Sequence, residues 1–383
     1  MQRWFPILLA AAVVLSCGRG YRLQRDAVAE PSTWPYYHGD IAATGVIQGG
    51  DFQGQFDILW ERKSNDKLSA PMTIAGGSLI YPGCRSKIKY FDLENGNYLG
   101  RIKVRGTPQT GVAVTDSLAC YALAPPRNVL YCKNLHNGKT VWRRSVKDAV
   151  PGSIIVDNRL IVSSGDGTTV AIGVDNGDLL WTFNSESRFS APPSFANGRI
   201  FQPASDGTLY AISVDDGREL FRTTLDGPLV NAASIVGKVY IADIYGNIYC
   251  LKPDDGEVLW KVSVAGPVWT SPAVNDKTLL IGHSGGELVA LEAATGKTRW
   301  TFDAVDVIKA SPIVIGQQVV FGTLGGMIYS LDVATGRQIS SRDVKEAIAY
   351  PAVSDGNRVY VATQKGRVFC FGKFVRLHSE ENQ

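Results

Sequence analysis

The sequence predicts an all-β fold, and within that class an eight-bladed β-propeller. Three observations favour it: a unit of about forty residues recurs, each unit carries a turn glycine at a fixed place, and a strand near the N-terminus matches the one that the last unit lacks. The turn glycines are Gly96, Gly138, Gly177, Gly217, Gly256, Gly296 and Gly336. Their successive spacings of 42, 39, 40, 39, 40 and 40 residues are too regular for chance.

Each unit holds four strand signals. In the unit at 270–300 they are a proline-marked start at 270–274, an apolar run at 278–281, and two strands on either side of the turn at Gly296. Hairpin turns such as Asp206-Gly207 separate the middle strands, because glycine adopts positive φ without steric cost. Four antiparallel strands in forty residues are typical of one propeller blade.

The two ends of the chain complete the blade count. The final unit, 351–371, has three strands and then neither a turn glycine nor a fourth strand. The segment 57–61 matches 257–261 position for position and supplies the missing strand. Seven full units and one composite unit give eight blades, and the N-terminal strand closes the ring so that no open sheet edge is left between its ends.

Composition and charge are those of an ordinary globular protein. The 383 residues are 45% hydrophobic and 20% charged, with 39 basic and 36 acidic residues and a net charge of +3. There is no long run of either sign, so nothing indicates nucleic acid as a partner.

The N-terminus predicts a lipid anchor. Residues 1–16 combine Arg3 with eleven apolar residues at 5–15, a run that is too short to span a bilayer and is typical of a signal peptide. The end of this segment resembles the lipobox of bacterial lipoproteins, which implies that Cys17 carries the lipid; a secretory signal with an incidental cysteine is the alternative. Gly18 resembles the pattern of lipoproteins sent to the outer membrane.

The predicted boundaries follow from these assignments. We expect a signal peptide at 1–16, an anchor, linker and leader at 17–55, the propeller at 56–374 and a flexible tail at 375–383.

Five cysteines follow Cys17. Cys132, Cys250 and Cys370 occupy a repeat position that is alanine in other units, which predicts small buried residues rather than metal or redox groups. Cys120 and Cys132 lie at equal distance from the turn at 125–126 and could form a disulfide across two strands, provided that they meet the distance limits of such a bond. Cys84 has no evident mate.

A motif in the repeat carries a family resemblance. The pattern from Ala290 through Gly296 to Trp300 resembles the tryptophan-docking repeat of quinoprotein dehydrogenases, and the segment 34–45 resembles the leader of PQQ-like propeller proteins. This resemblance implies that an aromatic ring of one blade packs on the next blade. The docking tryptophans are Trp60, Trp142, Trp181, Trp260 and Trp300, while Gly100 and Ser340 stand at the equivalent position of two blades.

Two branches of this family imply different functions. Quinoprotein dehydrogenases use PQQ with calcium, held by a glutamate and an asparagine beside a catalytic aspartate. The present sequence has no adjacent cysteine pair, no haem motif and no long insertions, so no catalytic residue can be assigned and PQQ is disfavoured as a cofactor. The chain also resembles the BamB-like lipoproteins, which implies a scaffold for protein partners such as outer-membrane β-barrel assembly components.

The resemblance to BamB-like lipoproteins implies a place at the outer membrane, facing the periplasm or at the cell surface. A quinone-binding enzyme and a sensor of ligands or glycans remain the alternatives to a non-enzymatic scaffold.

Loops that lead into the first strand of each blade predict a binding mouth. Arg188, Trp269 and Lys309 lie in these loops, and an aromatic ring with two cations could hold an acidic strand, a carboxylated glycan or a quinone; unrelated solvated loop residues are the alternative. No metal site is expected, because the four histidines, His38, His136, His283 and His378, fall at unrelated places in the repeat.

Overall fold

The structure is a computed structural model that describes residues 34–115, 117–135 and 137–373. Within these residues it contains 33 β-strands and no α-helix, and it includes no helix of the length and apolarity needed to cross a membrane. The predicted signal peptide, Cys17 and the tail after residue 373 lie outside the described residues.

Seven blades are formed by consecutive strands. Two strands precede them, β1 (Val46–Ile47) and β2 (Asp57–Lys63). Blades 1 to 4 consist of β3 (Thr73–Ala75), β4 (Ser78–Gly83), β5 (Lys87–Asp92) and β6 (Tyr98–Lys103); β7 (Ala113–Val114), β8 (Leu118–Leu123), β9 (Val129–Asn134) and β10 (Thr140–Ser145); β11 (Ala149–Val156), β12 (Arg159–Ser164), β13 (Thr168–Gly173) and β14 (Leu179–Asn184); and β15 (Ser194–Ala196), β16 (Arg199–Pro203), β17 (Thr208–Ser213) and β18 (Glu219–Thr224).

Blades 5 to 7 repeat the same order. They consist of β19 (Ser234–Val236), β20 (Lys238–Ala242), β21 (Asn247–Leu251) and β22 (Val258–Ser263); β23 (Ala273–Val274), β24 (Thr278–Gly282), β25 (Glu287–Glu292) and β26 (Thr298–Asp303); and β27 (Ile313–Ile315), β28 (Gln318–Gly322), β29 (Met327–Asp332) and β30 (Gln338–Asp343). In each blade the first strand is innermost and the fourth is outermost.

The eighth blade is composite. Its inner strands are β31 (Val353–Ser354), β32 (Val359–Ala362) and β33 (Arg367–Gly372), and β2 is its outermost strand. β2 pairs antiparallel with β33 in a register that sets Trp60 opposite Cys370. The prediction of eight blades, with an N-terminal strand closing the last one, is confirmed.

The hydrophobic core lies between the blades. One cluster joins Ile88 and Ile102 of blade 1 to Tyr121 and Leu123 of blade 2, and the other clusters also join residues of neighbouring blades. Each sheet is therefore apolar on both faces along its inner strands, and burial of these faces stabilises the ring.

Each docking tryptophan connects two blades. Trp142 of blade 2 donates a hydrogen bond from Nε1 to the carbonyl of Val174 in blade 3 at 2.6 Å, and its ring lies over the turn glycine Gly177. A Cβ at Gly177 would stand 2.6 Å from the indole, so glycine is required there. The same contact recurs in four other pairs, Trp60 with Gly96, Trp181 with Gly217, Trp260 with Gly296 and Trp300 with Gly336.

The structure explains why Ser340 replaces the aromatic residue in blade 7. The next blade is the composite one, which has no turn after its third strand. Gly54, in the segment before β2, fills that space, and its carbonyl accepts a hydrogen bond from the Ser340 hydroxyl. Arg342 donates to the carbonyl of Phe56 at 3.1 Å. Ring closure therefore uses the leader where five other blades use a tryptophan.

The leader at 34–56 crosses the centre of the ring. Its carbonyls at Ile41, Ala42, Thr44 and Gly45 accept hydrogen bonds of 2.7 to 3.0 Å from the inner strands of blades 4, 5, 6 and 7 in turn. β1 then adds to β27 as a parallel fifth strand of blade 7. The leader thus joins four successive blades to a segment that is remote from them in sequence.

His38 fixes a turn of the leader. The side chain is buried, with Nδ1 2.9 Å from the carbonyl of Ala43 and Nε2 2.9 Å from the carbonyl of Pro312 in the loop before blade 7. Gly45 has a φ of +68° and packs so closely on the imidazole that a Cβ would lie 2.4 Å from Cε1. Burial lowers the pKa of His38 below its ordinary value.

The cysteines occupy the positions opposite the docking tryptophans. In three blades a cysteine pairs in register with the tryptophan: Cys132 with Trp142, Cys250 with Trp260 and Cys370 with Trp60. Other blades have alanine or a different residue at the position of the cysteine. Cys132 also forms a disulfide with Cys120, its partner across β8 and β9. Cys250 and Cys370 are buried free thiols, and Cys84 is an exposed one.

Candidate mouth of the central channel

The two faces of the ring differ in what covers them. The mouth face carries the loops between successive blades and the turns between second and third strands. The leader face carries the turns between first and second strands and between third and fourth strands. The leader lies against this face. On the mouth face each loop is tied to the following blade's turn by a backbone hydrogen bond, such as that from Ile244 to Pro228 at 3.0 Å.

Trp269 and Lys309 meet at the mouth. They occupy the same position in the loops before blades 6 and 7, and the Lys309 ammonium lies 5.4 Å from the centroid of the Trp269 ring. Trp269 is 41% exposed, which is unusual for a residue of this size. A cation held over an indole is an attractive arrangement and leaves both groups accessible to a ligand.

Arg188 lies apart from this pair. It belongs to the loop before blade 4, and its guanidinium is 3.7 Å from the carboxylate of Asp148 in the loop before blade 3. Both side chains are well exposed, so this ion pair adds little stability. The structure therefore brings two of the three expected mouth residues together and pairs the third with an acid.

Two exposed apolar residues extend the mouth and were not found by sequence reasoning. Tyr245, in the turn of blade 5, is 67% exposed, and Val305, in the loop before blade 7, is 86% exposed. The Tyr245 ring packs against Gly227 in the loop before blade 5, where a Cβ would lie 2.4 Å from its Cδ2 atom. No signal in the repeat could identify these two, because exposure at a loop position depends on how neighbouring loops pack.

Val305 is held in an unfavourable backbone conformation. Its φ of +58° is rare for a β-branched residue. Asp303 accepts a hydrogen bond from the Val305 amide at 2.7 Å, and Asp306 accepts one from Val307 at 2.8 Å and another from Gly325. These bonds fix the loop, and Lys345, at the equivalent position of the next inter-blade loop, has a similar φ of +59°, so the conformation belongs to the repeat.

A hydrogen-bonded cluster supports the loop beside Tyr245. The Tyr249 hydroxyl lies 3.1 Å from Oδ2 of Asp226 and 3.0 Å from Oδ2 of Asp243. Lys261 pairs with Asp226, and its hydrogen bond with that carboxyl lowers the pKa of Asp226. The cluster orders the mouth at blade 5.

The leader face contains a cleft that sequence reasoning did not predict. It encloses about 730 Å³ between β1 and the turns of blades 5 to 7, and its lining includes Thr44, Lys277, Arg299 and Asp332. Mixed charges line it, and Arg299 is already bonded to Thr278 at 2.7 Å. This cleft carries no clear preference for one ligand charge.

Part of the inside of the ring is lined by hydroxyl groups. Inside the ring the Tyr37 hydroxyl lies 3.4 Å from that of Ser271 and 3.5 Å from that of Ser311. These groups are hydroxyls, whereas the quinoprotein resemblance implies a glutamate, an asparagine and an aspartate. Among the described residues no three His, Cys, Asp or Glu side chains are placed to hold a metal ion; His136 and His378 lie outside those residues.

Comparison with protein families gives one match. The model described as "Outer membrane protein assembly factor BamB", of the PQQ_2 type, matches residues 84–187, 126–236 and 229–377. These segments together cover well over half of the chain. No curated protein sequence matches significantly.

Solved structures of similar fold are of more than one kind. BamB from Moraxella catarrhalis aligns with a TM-score of 0.72 at 16% identity, over 83% of this chain and 100% of its own. A europium-containing methanol dehydrogenase aligns with a TM-score of 0.74 at 12% identity, over 87% of this chain and 90% of its own. Quinohemoprotein alcohol dehydrogenase from Comamonas testosteroni aligns with a TM-score of 0.74 at 13% identity, over 91% of this chain and 82% of its own. At these identities the likeness concerns the fold alone.

Proposed function

Since the chain belongs to the family of the outer membrane protein assembly factor BamB, we propose that it acts as a protein-interaction scaffold in outer-membrane protein assembly. In this proposal the protein is anchored by a lipid on Cys17 and faces the periplasm. It acts by binding, with no chemical step of its own.

The observation that carries the proposal is the mouth at blades 5 to 7. Trp269 and Lys309 form an accessible cation–π pair, and the exposed apolar residues Tyr245 and Val305 lie in the turn of blade 5 and in the loop before blade 7. Exposed aromatic residues are typical of the centre of protein interfaces. The loops are held by hydrogen bonds, so a partner would meet a surface that is already ordered.

The disulfide supports the proposed location. Cys120 and Cys132 are bonded within blade 2, and structural disulfides form and persist in oxidising compartments such as the periplasm.

The test is crosslinking in intact cells. A photoreactive amino acid at Val305 should crosslink to a component of the β-barrel assembly machinery, and the double variant Trp269→Ala/Lys309→Ala should reduce that product at least tenfold, as expected when a central aromatic residue is lost from an interface.

Leu259→Ala is the matched control, because Leu259 is 39% exposed on the outer strand of blade 5, away from the mouth loops. This control should leave the crosslink unchanged. Crosslinks to no assembly component, or equal losses in both variants, would contradict the proposal. Saturable, calcium-dependent binding of PQQ to the purified protein would instead favour the dehydrogenase alternative.

A further inference from the structure

The positive charge of the chain is concentrated in blades 1 and 2. Between Arg85 and Lys147 the sequence has 12 Lys and Arg residues and 3 Asp and Glu residues, a net charge of +9. The whole chain has a net charge of +3, so the remainder carries −6. These cations are scattered along the sequence, and only the strand register brings them together.

Four of them form an array on one face of blade 1. Lys87 pairs in register with Lys103, and Lys89 pairs with Arg101, across β5 and β6. Residues two apart on a strand share a face, and residues directly opposite across an antiparallel pair do so too. All four side chains therefore lie on the same face, while Ile88 on the other face belongs to the core with blade 2.

This arrangement is unfavourable without a counter-charge. Like charges directly opposite each other on neighbouring strands destabilise a sheet. Of the four, only Lys89 lies within 4 Å of a carboxylate, at 3.9 Å from Asp66. Lys87, Arg101 and Lys103 have no carboxylate at salt-bridge distance among the described residues, so the array keeps a net charge of about +3.

Lys89 is the buried member of the array. The residue is 8% exposed, and its ammonium donates to the carbonyl of Ser64 in the loop that follows β2. Tyr81 lies beside it, with the ammonium 5.9 Å from the ring centroid. Burial lowers the pKa of Lys89; Asp66 opposes that shift, and the nearby charges of Lys87, Arg101 and Arg85 add to it.

A glycine makes room for Asp66 beside the array. Gly83 stands opposite Lys87 on β4, and a Cβ there would lie 2.3 Å from Oδ2 of Asp66. The Asp66 carboxylate therefore fills the place of a side chain and accepts hydrogen bonds from the Arg85 amide at 3.0 and 3.2 Å. Asp66 is thereby fixed beside Lys89, and it leaves the other three cations of the array without a carboxylate partner among the described residues.

We propose that the face of blade 1 formed by Lys87, Lys89, Arg101 and Lys103 binds phosphate groups of a polyanionic ligand. A phosphate group concentrates up to two negative charges and three acceptor oxygens, which suits cations spaced about 5 to 7 Å apart on a sheet. The phosphates can belong to lipid headgroups in a membrane or to a soluble polyphosphate. This site is independent of the mouth at blades 5 to 7.

The test uses the chain from residue 18 onward, which contains every described residue, in two binding assays. One measures cosedimentation with vesicles of phosphatidylcholine containing phosphatidylglycerol, against vesicles of phosphatidylcholine alone. The other measures binding of tripolyphosphate by calorimetry. Binding in either assay should weaken steeply as salt concentration rises.

The variant Lys87→Gln/Lys103→Gln removes one cross-strand pair and should weaken binding to the anionic vesicles about thirtyfold. Its melting temperature should be equal to or above that of the wild type, because a repulsive pair is removed. Lys277→Gln/Lys297→Gln is the matched control, since it removes two exposed cations from the turns of blade 6 and should leave binding unchanged.

The outcomes separate the sources of phosphate. Binding to anionic vesicles but not to tripolyphosphate supports a membrane surface as the ligand, and binding to both supports a general phosphate site. Failure to bind either probe overturns the proposal, as does an equal loss in both variants. Binding of polyglutamate as tight as that of tripolyphosphate also overturns it, because the site would then take carboxylates of a protein partner.

Discussion

The ring of Trp142 lies directly over the Cα of Gly177, across the boundary between blades 2 and 3. The indole donates a 2.6 Å hydrogen bond to Val174 in the same turn, so one residue fills the space and satisfies a carbonyl of the next blade. The turn glycine has a φ of +74°. The regular spacing of glycines in the sequence therefore reflects packing against a tryptophan of the preceding blade as well as the conformation of the turn.

Gly177→Ala tests that packing requirement. The new methyl group would lie 2.6 Å from the ring and would also be strained at positive φ. We expect a loss of about 3 kcal/mol in the free energy of unfolding, measured by chemical denaturation.

Gly198→Ala is a closely matched control, because Gly198 has the same φ of +74° and no atom within 4 Å of the added methyl group. It should cost only the strain, about 1 kcal/mol. Equal losses in the two variants would show that the contact with Trp142 does not matter.

Trp60→Ala tests closure of the ring. Trp60 packs 5.8 Å from the Tyr360 ring and donates to Leu93 in blade 1 at 3.0 Å. Removing a buried tryptophan costs about 3 to 5 kcal/mol. Because β2 is the strand that joins the chain ends, we also expect faster amide hydrogen exchange throughout β2 and β33.

Trp260→Ala removes the same contact between blades 5 and 6 and is the comparison for Trp60→Ala. It should destabilise the protein without selective exchange in β2 and β33. Exchange that rises equally in these strands in both variants would contradict a special role of Trp60 in closure.

Repeat spacing predicted the blades, the composite eighth blade and the docking tryptophans, because each depends on local pattern and recurs. The path of the leader could not be predicted, since residues such as His38 and Ile41 have no counterpart in the repeat and contact blades far away in sequence. The separation of Arg188 from Trp269 could not be predicted either, because the packing of neighbouring loops determines where a long side chain lies.

The charge array was missed for another reason. Lys87 and Lys103 are sixteen residues apart in the sequence and form no charge run, yet the hairpin register places them side by side. Runs of like charge in a sequence therefore identify few of the patches that strands create.

The disulfide between Cys120 and Cys132 should stabilise blade 2. It closes a short loop, and a bond of this kind contributes about 2 to 3 kcal/mol, largely by restricting the unfolded chain. The variant Cys120→Ala/Cys132→Ala should lower the denaturation midpoint, and reductant should then have no further effect. Thiol titration of the unfolded wild-type chain from residue 18 should detect only Cys84, Cys250 and Cys370; detection of five thiols would contradict the bond.

The leader should make stability depend on pH through His38. Burial lowers the pKa of this residue below its ordinary value of 6.5, so the folded state binds the proton less readily than the unfolded state. The stabilising contribution of the neutral side chain is fully present above pH 6.5 and is lost as pH falls below it, towards the pKa of the folded state. We expect the melting temperature to fall over this window.

The variant His38→Gln should have a lower melting temperature at neutral pH, because a flexible glutamine loses the close packing of the imidazole on Gly45 and the hydrogen bond that the neutral ring donates to one of the two carbonyls. Between pH 6.5 and the more acidic range in which carboxylates titrate, the melting temperature of this variant should depend less on pH than that of the wild type. Direct titration of the His38 ring by NMR checks the cause. A pKa at or above 6.5 in the folded protein would mean that the two carbonyl acceptors outweigh burial, and stability would then increase on acidification.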